Sequence, residues 1–165
     1  DIFKLPYNVT RETKLQSFQY KMIHRIISCE VWMHKQKVVD SPNCQYCNVP
    51  DDIVHRFIKC SALNLFWKTL ERWWNRISVH QVHLNDKYII FGIYIDSKQY
   101  MTINYIILLA KWYIQIQKYR DQRIDFFDGF LQILKHHLDI EKEICAHNGN
   151  IQMFYNKWNK IIDQL

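Results

Sequence analysis

Three of the five cysteines in this 165-residue chain fall in the stretch CQYCNVPDDIVHRFIKC, residues 44 to 60, together with one histidine. The spacing is Cys44-x2-Cys47-x7-His55-x4-Cys60. A two-residue gap lets one tight turn aim both sulfurs at a single point, and four such donors suit the tetrahedral preference of zinc. Pro50 and Asp51 read as a helix start, so Ile53 to Lys59 forms about two turns with His55 inside and Cys60 at its end. On that helix Ile53, Phe57 and Ile58 face neighbours, whereas Arg56 and Lys59 face out. Cys44, Cys47, His55 and Cys60 are therefore expected to hold one structural Zn2+, since four protein ligands leave no open position for a reactive water. An unliganded, reduced cluster and a catalytic zinc are the competing readings.

The rest of the composition points to helices. Apolar residues make up 48% of the chain, enough for a core, and only three Gly and three Pro leave few positions for tight turns. Thr10 to Ile27 reads as an amphipathic helix with Thr10 as N-cap and Leu15, Phe18, Met22, Ile23 and Ile26 at helical spacing. Lys14, Lys21, His24 and Arg25 collect along one flank of it. A short helix with Val31, Trp32 and His34 follows Ser28. Ser61 reads as the next N-cap, ahead of a stripe of Leu63, Phe66, Trp67, Leu70, Trp73, Trp74 and Ile77. Asn85 to Gly92 fits a brief helix closed by glycine, or a strand, because YIIFGIYI is β-branched and aromatic.

Ser97 to about Arg120 is apolar nearly all round, which predicts a helix buried on several sides at the centre of the fold. Asp125 to His147 adds a helix with Phe127, Phe130, Leu131, Leu134, Leu138 and Ile144 inward. Phe154, Trp158 and Ile161 mark a last one. The fold class is all-α, a helical domain with an embedded CCHC zinc knuckle. Its parts are a basic helical segment (1–40), the knuckle (41–61) and a helical bundle (62–165), together one compact unit.

The net charge of +6 is evenly spread, with nine Lys or Arg against six acids in residues 1–60 and thirteen against ten beyond. A polyanionic partner is permitted by this balance and not required. The longest apolar run, MTINYIILLA, ends at Lys111 and falls short of the roughly 20 residues of a membrane span. An odd number of clustered cysteines argues for a reducing, intracellular setting, nuclear and cytoplasmic, rather than a secreted disulfide framework. The opening DIFKLPYNVT carries no secretory signal pattern and reads as part of a larger polypeptide.

Taken with its flanks, the cysteine stretch resembles a known family. LPYNVTRETKLQSFQYKMIHRII, CEVWMHKQKVVDSPNCQYC, HRFIKC and FW look like the zinc-knuckle region downstream of the reverse transcriptase in non-LTR (LINE-type) retrotransposon polyproteins. The likeness is specific from about Leu5 to Trp67 and weaker through residues 89–92 and 109–118. It implies ligand roles for Cys44, Cys47, His55 and Cys60, and binding of RNA and/or DNA during target-primed reverse transcription, with the remainder of the reverse transcriptase as a partner. The paired aspartates of a polymerase, in their aromatic context, are not found, nor is the PD...D-x-K pattern of a restriction-like nuclease. The fragment is accordingly expected to be non-catalytic.

Candidate nucleic-acid contacts are Lys14, Lys21, Arg25, Lys35, Lys37, Arg56, Lys59, Lys68, Arg72 and Arg76. Each has a rival reading as a solvated helix face, and Glu71 offers a local ion pair to the last three. Trp67, Trp73 and Trp74 read as core, while Trp32 and His34, beside Lys35 and Lys37, are freer to meet RNA. Cys29, Cys145, His80, His83, His136 and His137 have no spacing that suggests chemistry. A protein-interaction domain docking on the polymerase or a host partner is the alternative to nucleic-acid binding.

Overall fold

The structure, a computed structural model, describes residues 1–95, 99–118 and 126–165. The regular elements of the described residues are all helical, without a strand, and Asn43 and Pro50 form an isolated antiparallel bridge at the base of the cysteine loop. The order is α1 (Leu5–Val9), α2 (Thr13–Ile23), α3 (Glu30–Lys35), a π-helical turn (His55–Lys59), a 3-10 turn (Ser61–Leu63), α4 (Phe66–Ile77), α5 (Asp86–Phe91), α6 (Met101–Gln117), α7 (Phe126–His147) and α8 (Ile151–Ile162).

The central role expected of the all-apolar segment is borne out. α6 buries Ile103, Ile106, Ile107, Leu109, Ala110 and Ile114 on different sides, and α1, α2, α7 and the π turn pack around it. Residues 97–98 and 119–120, assigned to the same helix from the sequence, lie outside the described residues, as does Asp125. The predicted stripe of α4 is likewise buried, and Phe66 and Trp73 meet Phe127 and Phe130 of α7 edge-on. Trp67, Trp73 and Trp74 are core, and the Trp74 indole donates to the His80 carbonyl at 3.0 Å. α8 folds back on α7 and inserts Trp158 against Tyr105 of α6.

Several local expectations change. Helix α2 starts at Thr13, not after Thr10, whose hydroxyl instead accepts from the Glu12 N–H at 3.1 Å. It also stops at Ile23, four residues early, because Arg25 takes a left-handed conformation (φ 58°). Ser61 opens a 3-10 turn rather than capping α4. Ile144 is 55% exposed because, at about 100° per residue, it stands about 120° round the helix from buried Leu138, whose face continues at half-buried Cys145. Residues 86–91 are helix, with the Asn85 side chain capping the Tyr88 N–H at 3.0 Å and Gly92 (φ 80°) ending it, so the strand alternative falls.

One buried and one half-buried polar set join the helices. Lys111 of α6 donates to Gln19 Oε1 at 2.6 Å and to the Ile90 carbonyl at the end of α5 at 2.8 Å. Glu12, just ahead of α2, accepts from the Tyr105 hydroxyl at 2.8 Å and lies 3.1 Å from His137 Nδ1 on α7. Burial raises the Glu12 carboxyl, but His137 and Tyr105 outweigh it and hold it below its ordinary value. His137 thus has a tie that its position in the sequence did not announce. No helix among the described residues is long and apolar enough to cross a membrane.

Candidate metal centre

The loop from Pro42 to Asp51 is built as a short hairpin. The Cys44 N–H donates to Val49 O at 2.8 Å, the Asn48 N–H to Cys44 O at 2.8 Å, and the Asp51 N–H to Pro42 O at 2.9 Å. Asn48 takes the left-handed turn position (φ 55°), which its short polar side chain tolerates. The turn brings Cys44 and Cys47 to one side. Helical structure then begins at Ile53, capped by Asp52, whose Oδ1 accepts from the His55 N–H at 2.7 Å. Asp52, not Pro50 or Asp51, is the cap.

From His55 the turn widens to a π-helix, and the Cys60 N–H donates to His55 O at 2.8 Å. The wide turn brings the two ends of the His55-x4-Cys60 segment to the same point, which is the device this spacing needs. The Cys44 and Cys60 sulfurs are 3.8 Å apart, Cys47 Sγ is 3.2 Å from His55 Nε2, and all four ligand atoms lie within 4.8 Å of one another. An ion with Zn–S bonds of about 2.3 Å has a tetrahedral S–S edge of about 3.8 Å. The four residues expected to be ligands are therefore together, and their donor set can hold one metal ion, zinc included. Cys44, Cys60 and His55 are buried and Cys47 is half-buried.

The surroundings of the cluster contain residues that sequence reasoning missed. Lys118, directly after α6, points its ammonium at Cys44 Sγ (2.9 Å) and Cys60 Sγ (3.2 Å), with the Tyr46 ring 4.8 Å away. Burial raises the Cys44 thiol, but Lys118 and the Tyr46 N–H outweigh it and bring it to about 6, whereas burial pushes neighbouring Cys60 up to about 11. Were a divalent ion bound by three thiolates, the site would carry one negative charge, opposite that of the Lys118 ammonium. The loop also grips the end of α6 directly, through Gln45 Nε2 to Lys118 O (2.6 Å) and the Tyr46 hydroxyl to Gln117 O (3.2 Å).

Arg56 contradicts its expected outward placement: it is fully buried. Its guanidinium is paired to the buried Asp51 carboxylate, donates to Ser28 O at 2.7 Å and Gln115 Oε1 at 3.1 Å, and reaches Glu30 at 3.3 Å. Two of its five N–H donors stay within the knuckle on Asp51, and the other three tie it to Ser28, to Glu30 of α3 and to Gln115 of α6. Asp51 Oδ1 in turn faces Lys118 Nζ at 3.9 Å. Arg56 is thus part of the scaffold that positions His55 and is withdrawn from the candidate contact surface.

The other candidate contacts, Lys14, Lys21, Arg25, Lys35, Lys37, Lys59, Lys68, Arg72 and Arg76, are all exposed. Lys14 pairs with Glu12 at 3.8 Å. The Glu71 carboxylate, expected to serve the arginines of α4, instead accepts from the Leu84 N–H at 2.6 Å and meets His83 at 3.3 Å. Phe57 is fully buried and accepts the Trp67 indole N–H on its carbonyl at 2.6 Å, so the π turn between His55 and Cys60 is tied into the α4 core. Comparison of the chain with protein-family models, curated proteins and solved structures finds no match.

Proposed function

We propose that this chain is a nucleic-acid-binding domain from the end of a non-LTR retrotransposon reverse transcriptase, organised around one structural zinc ion. The observation that carries the reading is the convergence of Cys44, Cys47, His55 and Cys60, at the spacing on which the family resemblance rests. Zinc fits better than a catalytic metal because four protein donors fill a tetrahedral shell. Three cysteines and one histidine are one of the standard donor sets of a structural zinc. The role of the ion is mechanical: it holds the knuckle against α6 and α4, so that the exposed lysines and arginines around it keep fixed positions.

Such a surface would bind phosphates, element RNA or target DNA, and hold them for polymerisation carried out elsewhere in the parent protein. The test is metal analysis of protein purified without chelator, joined to a salt titration of binding to RNA and to DNA. One zinc per chain and an affinity that falls steeply with salt are expected. A stoichiometry near zero refutes the zinc, and salt-independent binding or retention of a protein partner alone refutes the nucleic-acid role in favour of a docking domain.

A further inference from the structure

Two helices here end on the same backbone device. At the end of α2 the Arg25 N–H donates to Met22 O and the Ile26 N–H to Lys21 O, with Arg25 left-handed at φ 58°. At the end of α3 the Lys37 N–H donates to His34 O and the Val38 N–H to Met33 O, with Lys37 also at φ 58°. This Schellman position is one that glycine fills without strain and a long side chain does not. The chain does place glycine at the corresponding end of α7, where the Gly149 N–H donates to Ala146 O and the Asn150 N–H to Cys145 O with Gly149 at φ 70°. At α2 and α3 it places exposed cations, neither in an ion pair among the described residues. A strained residue kept against local preference marks a position held for another purpose.

The same region exposes rings. Tyr20 and His24, at the end of α2, lie with centroids 4.2 Å apart, and Phe3 is 6.0 Å from His24. Phe3 is 53% and Tyr20 49% exposed. Next to His24, Arg25 enters the lining of a cavity of about 550 Å3, with Trp32, Lys35 and Lys87 beside it and Met22 and Ile53 among its apolar walls. Of the two acids there, Asp52 caps the His55 N–H and Asp86 sits in the first turn of α5, each serving its own helix. Trp32 is 40% exposed.

We infer that the ends of α2 and α3 form a binding site for unpaired nucleotides: bases stack on the Phe3–His24–Tyr20 rings and on Trp32, while Lys21, Arg25, Lys35 and Lys37 take the phosphates. Exposed ring faces interleaved with cations suit a single strand, whose bases are free to stack, and are wasted on a duplex, whose base faces are covered. The inference rests on the nucleic-acid reading above and adds which form of nucleic acid is held, and where.

The test is fluorescence anisotropy at fixed salt on the metal-loaded 165-residue chain, with a labelled twelve-nucleotide oligo-U, the matching oligo-dT and a duplex of about the same length. The expected result is single strands bound at least about tenfold tighter than duplex, with Tyr20→Ala and Trp32→Ala each weakening the single strands about tenfold and the duplex little. The two single strands distinguish RNA from DNA. Arg25→Gly with Lys37→Gly is expected to raise the melting temperature and yet weaken single-strand binding. Equal affinity for duplex and single strand, unmoved by the ring variants, overturns this site while leaving nucleic-acid binding intact. Binding of none of the three overturns both readings. A glycine double variant that melts lower, or binds single strands as well as the parent, overturns the role given to the two helix ends.

Discussion

The ammonium of Lys118 stands 2.9 Å from the Cys44 sulfur and 3.2 Å from that of Cys60, although 74 and 58 residues separate them in the chain. With a divalent ion bound it would close the charge balance of the cluster, and it couples the knuckle to the end of α6. Replacing it with methionine, close in volume and without charge, leaves a net negative thiolate set under cover. Lys118→Met is expected to cost about 3–5 kcal/mol, the range for breaking a buried charge pair. It is also expected to speed metal release to a competing chelator. Denaturant melts and release kinetics on the loaded protein check both, and unchanged release would remove Lys118 from the metal site.

Arg56→Ala is expected to unfold the knuckle rather than weaken a surface contact. The substitution takes the guanidinium away from the buried Asp51 carboxylate, to which Lys118 at 3.9 Å is then the nearest cation, at a cost of about 3–5 kcal/mol. Lysine is expected not to rescue it, because one ammonium cannot reproduce the forked geometry of a guanidinium. A lowered denaturation midpoint in both variants checks this, and native stability in Arg56→Ala would contradict it.

Lys111 sets a pH dependence whose direction follows from its burial. Desolvation lowers it from 10.5 to about 7 in the folded chain. Between these values the unfolded chain holds a proton that the folded chain lacks, so stability rises with pH across that window and falls again as pH drops toward 7. The slope attributable to this one group is about 1.4 kcal/mol per pH unit at most. In Lys111→Met that contribution is expected to vanish, while the metal cluster's own pH dependence remains common to both proteins. Urea melts at pH 7 and pH 9 on the two proteins measure the difference, and equal slopes would refute it.

Gly92 is expected to resist substitution. Its φ of 80° is strained for any L side chain, and an added Cβ would stand 2.5 Å from Leu5 Cδ2 and 3.0 Å from Asn104 Oδ1. Asn104 cannot easily give way, since its amide brackets Ile93 by accepting from the N–H at 2.7 Å and donating to the carbonyl at 2.9 Å. Gly92→Ala is expected to cost about 1–3 kcal/mol. Gly149→Ala, with the same kind of φ but open space around it, is expected to cost less. Paired thermal melts give the comparison.

Helix placement was largely legible in the residues. The stripes of α4 and α7 and the all-round apolarity of α6 reflect burial at a period of 3.6, a signal carried by composition alone. The ligand set was legible for a related reason: a two-residue and a four-residue gap each keep the pair within about one and a half turns of backbone, so local geometry can bring each pair together. Helix ends were less legible. α2 stops early because Arg25 adopts a conformation that its residue type disfavours, and no propensity rule predicts a cost that the fold imposes.

What the chain order by itself determined, then, is what short-range geometry controls: which stretches are helical, which faces are apolar, and that Cys44, Cys47, His55 and Cys60 can converge. The packed fold alone decided where the buried charges go. Arg56 looks outward on a regular helix, yet the wide π turn and the waiting Asp51, Ser28 and Gln115 draw it in. Lys111 and Lys118 carried one hint, as cations within or at the end of a segment whose neighbours demand burial. Their partners, Ile90 and the two sulfurs, come from distant segments, because a buried lysine nitrogen is satisfied by whatever the assembled core places beside it.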